Sequence, residues 1–379
     1  MIKILYILEA TSGGTQKHVV DIAKKINKSE YQIDIVASTF RNKHFIEESK
    51  GIFNNTYNLP ITRSASISDL SNIWKIRNII RQNEYDIVHC HSTKAGFVGR
   101  IAAYLSGHRN IVYSPHGFMF CDTRIRIKRL SYLKLEKYLG YLTKKIVTVS
   151  NSERELAINN RIVPNNKIIT INNSIDALDN NGISYAQRIS KKFNDKNSEI
   201  ILGSVTRLQY AKDPITLIKS FKIVNERIPN TKLIMVGDGP LESECIKLIN
   251  ELNIQTKVDL AGFQKDSKSF YKMFDIFILS SHYEGMPYAL LEAMSMGLPA
   301  VGTNVSGIKD LIVHGETGYL VGEGNFQELA DAVIRLIENP DKLSFFSSNA
   351  KNLADHNYNL DNGIKNYQEF YSSLSLGMA

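Results

Sequence analysis

The chain has 379 residues, 43% of them hydrophobic and 22% charged, as in a soluble globular protein, and a single core rarely grows past roughly 250 to 300 residues, so two domains are expected. No apolar run approaches the roughly 18 residues of a membrane span, Ile2–Leu8 is too short for a signal peptide, and Cys90, Cys121 and Cys245 lack metal-ligand spacing, which together predict a reduced, cytosolic setting. The net charge of +8 is uneven: residues 1–180 hold 26 Lys and Arg against 15 Asp and Glu (+11), residues 181–379 hold 20 against 23 (−3), and the first half is expected to meet an anionic partner other than nucleic acid, since no groove-reading motif accompanies the charge.

Strand-like runs at 2–8, 32–37, 86–89, 110–114 and 145–149 alternate with longer amphipathic stretches, the βαβ pattern of a parallel, doubly wound sheet. Gly13-Gly14 separates the first run from a helix expected near Thr15. Glycine there lets backbone approach a phosphate or sugar, although a simple tight connection would use it too. His89 and His91, in H-C-H, suit a metal pair or two structural strand residues and receive no role. Ser114-Pro115-His116-Gly117-Phe118 puts His116 at a strand's carboxyl end. Between Arg124 and Lys145, eight basic residues are interleaved with Ile125, Ile127, Leu130, Tyr138 and other apolar residues, and only Glu136 opposes them. That segment suits an anionic membrane surface or, equally, a core helix with a solvated charged face.

The polar stretch 179–198 reads as a linker, after which strand-like runs recur at 200–205, 232–236, 258–260, 276–279 and 299–302. Two Rossmann-like domains result. Arg207 and Lys212, in R-x(4)-K after the first of these runs, are cations suited to a diphosphate. Gly237-Asp238-Gly239-Pro240 and Gly262-Phe263 form turns after the next two. Further on, Glu284 and Glu292 stand seven residues apart, with Gly285, Met286 and Pro287 between them; Pro287 suits the opening turn of a helix, which puts Glu284 on the loop and Glu292 inside the helix. A helix start favours a phosphate, and a carboxylate accepts from paired sugar hydroxyls. Phosphate plus polyol describes a nucleotide sugar. Ligands of such sheets bind beyond the strands' carboxyl ends, so two facing sheets would form a cleft.

E-x(7)-E with its internal G-M-P, followed by G-L-P-A-V, G-I-K-D-L-I and G-E-T-G-Y-L, resembles the donor-binding half of a retaining family 4 glycosyltransferase of the GT-B fold. The resemblance implies an α/β protein with a first domain at 1–178, a linker at 179–198 and a second domain at 199–361, the segment 362–379 crossing back onto the first domain through Tyr367, Phe370 and Tyr371. Two positions depart from the family pattern: Ser174 and Thr206 stand where it usually has glycine.

By the same resemblance, Glu284 binds hydroxyls of the transferred sugar and Glu292 those of the ribose. The backbone of Gly285, Met286, Pro287 and Tyr288 cradles the diphosphate, whose departure Arg207 and Lys212 assist. Gly237, Phe263 and Gln264 border the base, Gly13 and Gly14 lie beside the diphosphate and acceptor, and His116 contacts a donor hydroxyl. Catalysis is thus expected from His116, Glu284, Arg207 and Lys212. No D-x-D element stands where a divalent cation would need it, so no metal or other cofactor is expected. The implied reaction transfers a hexose or N-acetylhexosamine, with retention, from a nucleoside diphosphate sugar, UDP being the expected nucleotide. The implied acceptor is a polyprenyl-diphosphate-linked saccharide at the inner membrane surface, in capsule, exopolysaccharide or O-antigen synthesis, with the protein peripherally bound on the cytoplasmic side. A non-hydrolysing UDP-sugar epimerase would need acid/base carboxylates not located in the first half; a non-catalytic nucleotide-sugar-binding homologue would keep Arg207, Lys212 and Glu292 without turnover. The absence of G-x-G-x-x-G after the first strand disfavours an NAD oxidoreductase.

Overall fold

The computed structural model of the protein describes residues 1–64, 66–121, 125–178, 192 and 198–377. It divides into two compact units, Met1–Ser174 with Leu360–Ala379, and Ile175–Asn359. Arg124 and most of the expected linker 179–198 lie outside the described residues.

The first unit is built on β1 (Ile2–Leu8), β2 (Tyr31–Ala37), β3 (Thr56–Asn58), β4 (Ile87–His91), β5 (Ile111–Ser114), β6 (Lys145–Thr148) and β7 (Ile168–Thr170), all parallel, in the order β3-β2-β1-β4-β5-β6-β7. Its helices are α1 (Gly14–Lys25), α2 (Phe45–Glu48), α3 (Ser68–Asn83), α4 (Thr93–Leu105), α5 (Arg126–Leu142) and α6 (Asn151–Asn159), joined by the terminal helix Leu360–Ser375. Period-two alternation sends Ile4, Tyr6 and Leu8 into one layer with α1 and the terminal helix, and Leu5 and Ile7 into the other with α3 and α4. Both faces are covered, which is why the central strands read as continuous apolar runs.

Tyr367, Phe370 and Tyr371 of the terminal helix are buried in the first of these layers, and the Tyr371 hydroxyl lies 2.8 Å from that of Tyr6. Ser174 packs against Gly363 of this helix so closely that a Cβ on Gly363 would stand 2.0 Å from the serine Oγ.

The second unit holds β8 (Ile200–Val205), β9 (Thr231–Val236), β10 (Val258–Gly262), β11 (Ile276–Leu279), β12 (Ala300–Thr303) and β13 (Gly318–Val321), again parallel, in the order β10-β9-β8-β11-β12-β13. Its helices are α7 (Pro214–Arg227), α8 (Glu242–Glu251), α9 (Lys268–Tyr271), α10 (Tyr288–Ser295), α11 (Phe326–Ile337) and α12 (Pro340–Asn357). Every strand expected from the sequence is present, and β3, β7 and β13 are added. These three are sheet edges of three or four residues, too short to carry a pattern of their own. Strand order reverses between β1 and β4 in the first sheet and between β8 and β11 in the second, so each sheet opens a crevice at the carboxyl ends of those pairs.

Candidate active site

In the second unit the predicted residues gather along one edge of the sheet. Arg207 and Lys212 follow β8, Gly237 follows β9, Phe263 and Gln264 follow β10, and Glu284 through Tyr288 join β11 to α10. The Arg207 loop is fixed by backbone bonds from Thr206 N–H to Val236 O (2.9 Å) and from Leu208 N–H to Asp238 O (2.8 Å). Its approach to the next turn is so close that a Cβ on Gly237 (φ 135°) would stand 2.0 Å from Thr206 O. Arg207 itself is exposed. Phe263 is 70% exposed, and the Gln264 amide donates to Ala261 O (2.8 Å).

Lys212 ends a short 3-10 turn, and its Nζ lies 2.5 Å from Glu284 Oε2 at the crevice. Ser281 Oγ donates to Glu284 Oε1 at 2.9 Å. Glu284 is on the loop and Glu292 on α10, where Tyr271 donates its hydroxyl to Glu292 Oε2 at 2.9 Å. Burial, with Glu292 beside it, holds the Tyr271 hydroxyl protonated well above the ordinary tyrosine range. Pro287 is the N-cap of α10, and Gly285, Met286, Pro287 and Tyr288 are buried. Behind it, Gly307 (φ 80°) leaves no room for a side chain, since a Cβ would stand 2.5 Å from Gly285 O.

In the first unit, Gly13 (φ 74°, ψ −156°) is the N-cap of α1, a backbone conformation essentially reserved for glycine, and Gly14 opens the helix. His116 has the left-handed φ of 54° and Gly117 a φ of 100°. Glu153 staples this turn from α6, accepting from Gly117 N–H (2.6 Å) and Val149 N–H (2.8 Å). His116 Nε2 lies 3.1 Å from His91 Nδ1, and His18 Nε2 lies 3.0 Å from the Tyr367 hydroxyl. His89 bonds Ser114 Oγ (2.9 Å) and the Tyr371 hydroxyl (2.8 Å), which makes it structural. Burial, reinforced by the neighbouring imidazoles, pushes His89, His91 and His116 well below the ordinary histidine range, and burial holds His18 at about 4, so all four are neutral at neutral pH.

Among the described residues one group could hold a metal ion: His18, His91 and His116, whose ligating atoms lie within 4.8 Å of one another. Each ring already has a hydrogen-bond partner, and no carboxylate joins the group to offset a buried dication.

Ser281, Tyr271, Gly307, Glu153, His18 and His91 were not singled out as site residues in the sequence. Only the H-C-H triplet signalled any of them, as a metal pair or two structural strand residues rather than as a contact with His116.

Glu136, the lone acid among the basic residues of α5, is buried. Its Oε2 accepts from Arg100 (2.8 Å) and its Oε1 from Tyr113 (2.9 Å). The outer face is left with Arg126, Lys128, Arg129 and Lys134 beside exposed Ile125, Ile127, Leu130, Tyr138 and Tyr141, the last 82% exposed. Among the described residues, no helix is long and apolar enough to cross a membrane.

Two doubly wound parallel sheets, each with its candidate residues beyond the carboxyl ends of its strands, give the GT-B class of transferase fold. Residues 12–177 match the model for Glycosyltransferase Family 4, and residues 186–353 match that for Glycosyl transferases group 1. The chain is 30% identical over 318 residues to the UDP-Gal:alpha-D-GlcNAc-diphosphoundecaprenol alpha-1,3-galactosyltransferase of Escherichia coli, covering 81% of this chain and 80% of that protein. It is 27% identical to the capsular polysaccharide biosynthesis glycosyltransferase CapM of Staphylococcus aureus, over 90% of this chain and 92% of CapM. The crystal structure of Anabaena HepE in complex with UDP and glucose superposes with a TM-score of 0.82 at 21% identity, covering 98% of this chain and all of that one. The chain belongs to the family 4 glycosyltransferases.

Proposed function

We propose that this protein transfers a hexose or N-acetylhexosamine from a UDP-sugar to a hydroxyl of a lipid-diphosphate-linked saccharide, with retention of anomeric configuration, in the synthesis of a cell-surface polysaccharide. The observation that carries the reading is the Lys212–Glu284 contact at the crevice between β8 and β11: a cation suited to a departing diphosphate stands against a carboxylate suited to sugar hydroxyls. The lysine has three donors and the carboxylate about four acceptor sites, so both keep capacity for a ligand while paired. Arg207 and the α10 N-terminus add positive character, and Tyr271 holds Glu292 ready for the ribose. In the proposed step the bond from sugar C1 to the phosphate oxygen breaks through an oxocarbenium-like state. The departing phosphate oxygen takes the proton of the acceptor hydroxyl, and the acceptor oxygen bonds C1 on the same face. Arginine, lysine and backbone dipoles carry the charge without a metal ion. The E. coli galactosyltransferase, which takes UDP-Gal and a diphosphoundecaprenol acceptor, supports both the nucleotide and the lipid-linked acceptor, and the UDP complex of Anabaena HepE agrees with the nucleotide.

The outer face of α5 supports an acceptor met at an anionic membrane surface, because its exposed Ile127, Leu130, Tyr138 and Tyr141 and its lysines and arginines supply both apolar and electrostatic attraction. The test is to incubate the purified protein with UDP-hexoses and UDP-N-acetylhexosamines and a bacterial membrane lipid extract, following UDP release and glycolipid mass. Acceptor-dependent UDP release with a heavier glycolipid is expected, lost in Glu284→Ala. An epimerised UDP-sugar without acceptor, or tight UDP binding with no turnover on any lipid, would overturn the reading.

A further inference from the structure

His116 and His91 face one another through a single contact, Nε2 to Nδ1 at 3.1 Å, with their rings stacked at 27°. Two neutral imidazoles at this distance share one proton, and two arrangements are available. If His116 Nε2 carried it, the only proton of His91 would sit on Nε2, which is buried with no hydrogen-bond partner among the described residues. That would be an orphaned buried N–H, the rarest and costliest kind of unpaired group. The Tyr6 ring, 4.8 Å away at 68°, offers at most a weak π acceptor. If His91 Nδ1 carries the proton instead, its Nε2 is left as a bare lone pair, which is cheaper to bury. His116 Nε2 then accepts, and the proton of His116 lies on Nδ1, on the ring edge that the half-buried residue turns from its partner.

We propose that His91 is a positioning residue that locks His116 in the Nδ1–H tautomer, so that His116 meets the donor sugar as a hydrogen-bond donor. The turn that aims the ring is independently braced: Glu153 accepts from Gly117 N–H next to the left-handed His116. A neutral N–H donor binds a hydroxyl or acetamido oxygen, whereas the opposite tautomer would offer a lone pair and accept a hydroxyl proton. The consequence for turnover rests on the placement of His116 beside the transferred sugar proposed above; the tautomer itself does not.

The experiment combines long-range proton–nitrogen NMR of the histidine rings with steady-state kinetics on UDP-sugars for the wild type, His91→Asn and His91→Leu. The wild-type spectrum is expected to show His116 protonated at Nδ1 and bare at Nε2. His91→Asn keeps an amide donor near the lost Nδ1 and is expected to hold that state and stay within about threefold of wild-type kcat. His91→Leu should release the lock and lower kcat about tenfold at similar KM, the effect of one hydrogen bond. A wild-type His116 protonated at Nε2, or an unchanged tautomer in His91→Leu, would overturn the lock. A tautomer that switches with no change in turnover would leave the lock standing and overturn the placement of His116 at the sugar.

Discussion

Lys212 Nζ sits 2.5 Å from Glu284 Oε2, although 72 positions separate the two residues in the chain. Adjacent strands bring them together, and the loops that carry them are sewn to each other: Ser280 Oγ donates to Lys212 O (3.1 Å) and Asp213 O (2.8 Å), and His282 N–H to Ala211 O (2.9 Å). With Ser281 on the other oxygen, the Glu284 carboxylate is aimed before any ligand arrives. Pre-aimed charge of this kind needs little reorganisation when the sugar–phosphate bond breaks.

Since the two residues act through one contact, their losses should not multiply. Lys212→Met and Glu284→Gln are each expected to lower kcat by about 10²–10³-fold, as loss of a key electrostatic group does. The double variant should be no worse than the worse single by more than about threefold. UDP release under saturating donor measures this, and fully multiplicative losses would mean that the residues serve separate steps.

Tyr271 holds one oxygen of Glu292 through its hydroxyl. Tyr271→Phe removes the 2.9 Å hydrogen bond but keeps the ring against Phe274 and Phe277. Calorimetry should show UDP binding weakened about fivefold, the equivalent of about 1 kcal/mol, at an almost unchanged melting temperature. If UDP binds as before, Glu292 does not hold the ribose.

Gly307 and Gly315 share nearly the same backbone conformation, φ 80° and 83°, but differ in surroundings. A Cβ at Gly315 meets nothing within 4 Å, while one at Gly307 strikes Gly285 O at 2.5 Å. Gly315→Ala should therefore cost about 1 kcal/mol of stability through the strained φ alone. Gly307→Ala should cost about 2 kcal/mol or more and also weaken UDP binding, because the Glu284–Gly285 loop must move. Urea unfolding compares the two.

The central strands were legible because a strand buried on both faces is a short apolar run between turn residues, and β1, β8 and β11 match their expected limits to the residue. The loop position of Glu284 and the helical position of Glu292 were also legible, since one proline between them sets the helix start. Contacts that depend on distant pairing were not. Tyr271 lies 21 residues before Glu292, and His18 lies 349 before Tyr367, so nothing local marks either pair. The orientation of α5 was undecidable for the same reason: the buried Glu136 is met by Arg100 on another helix and by Tyr113 on β5, both distant in sequence.

Burial holds His18 at about 4, below the ordinary histidine value near 6.5, so the unfolded chain binds its proton more readily than the folded one. The stability this provides is complete above about pH 6.5 and is lost as the pH falls toward 4, a loss of roughly 3 kcal/mol for one such group. His89, His91 and His116 are shifted in the same direction. Melting of the whole protein should fall steadily from pH 7 to pH 5, and His18→Gln should flatten the slope. A melting temperature that holds constant across that range would mean that the rings accept protons without opening the core.

On α5 the inward side is settled by Glu136, Leu139 and Gly140, so substitutions on the outward side leave the core alone. Ile127 is 77% exposed, Tyr138 71% and Tyr141 82%, unusual values for large apolar side chains on a helix with four exposed basic residues. The combination fits an interfacial helix, in which each basic residue near an anionic surface adds about 1 kcal/mol and aromatic rings sit at headgroup depth. Lys128→Glu with Arg129→Glu should lower binding to vesicles containing anionic lipid by more than tenfold, and Ile127→Ser with Tyr141→Ser should lower it at high salt as well, where the electrostatic part is screened. Both double variants should keep wild-type affinity for UDP, since α5 belongs to the first unit and the six-stranded sheet that carries Arg207, Lys212 and Glu292 to the second. Sedimentation with neutral and with anionic vesicles separates the outcomes. Equal binding of all variants would show α5 to be a solvated helix, and the acceptor would then have to reach the enzyme by another surface.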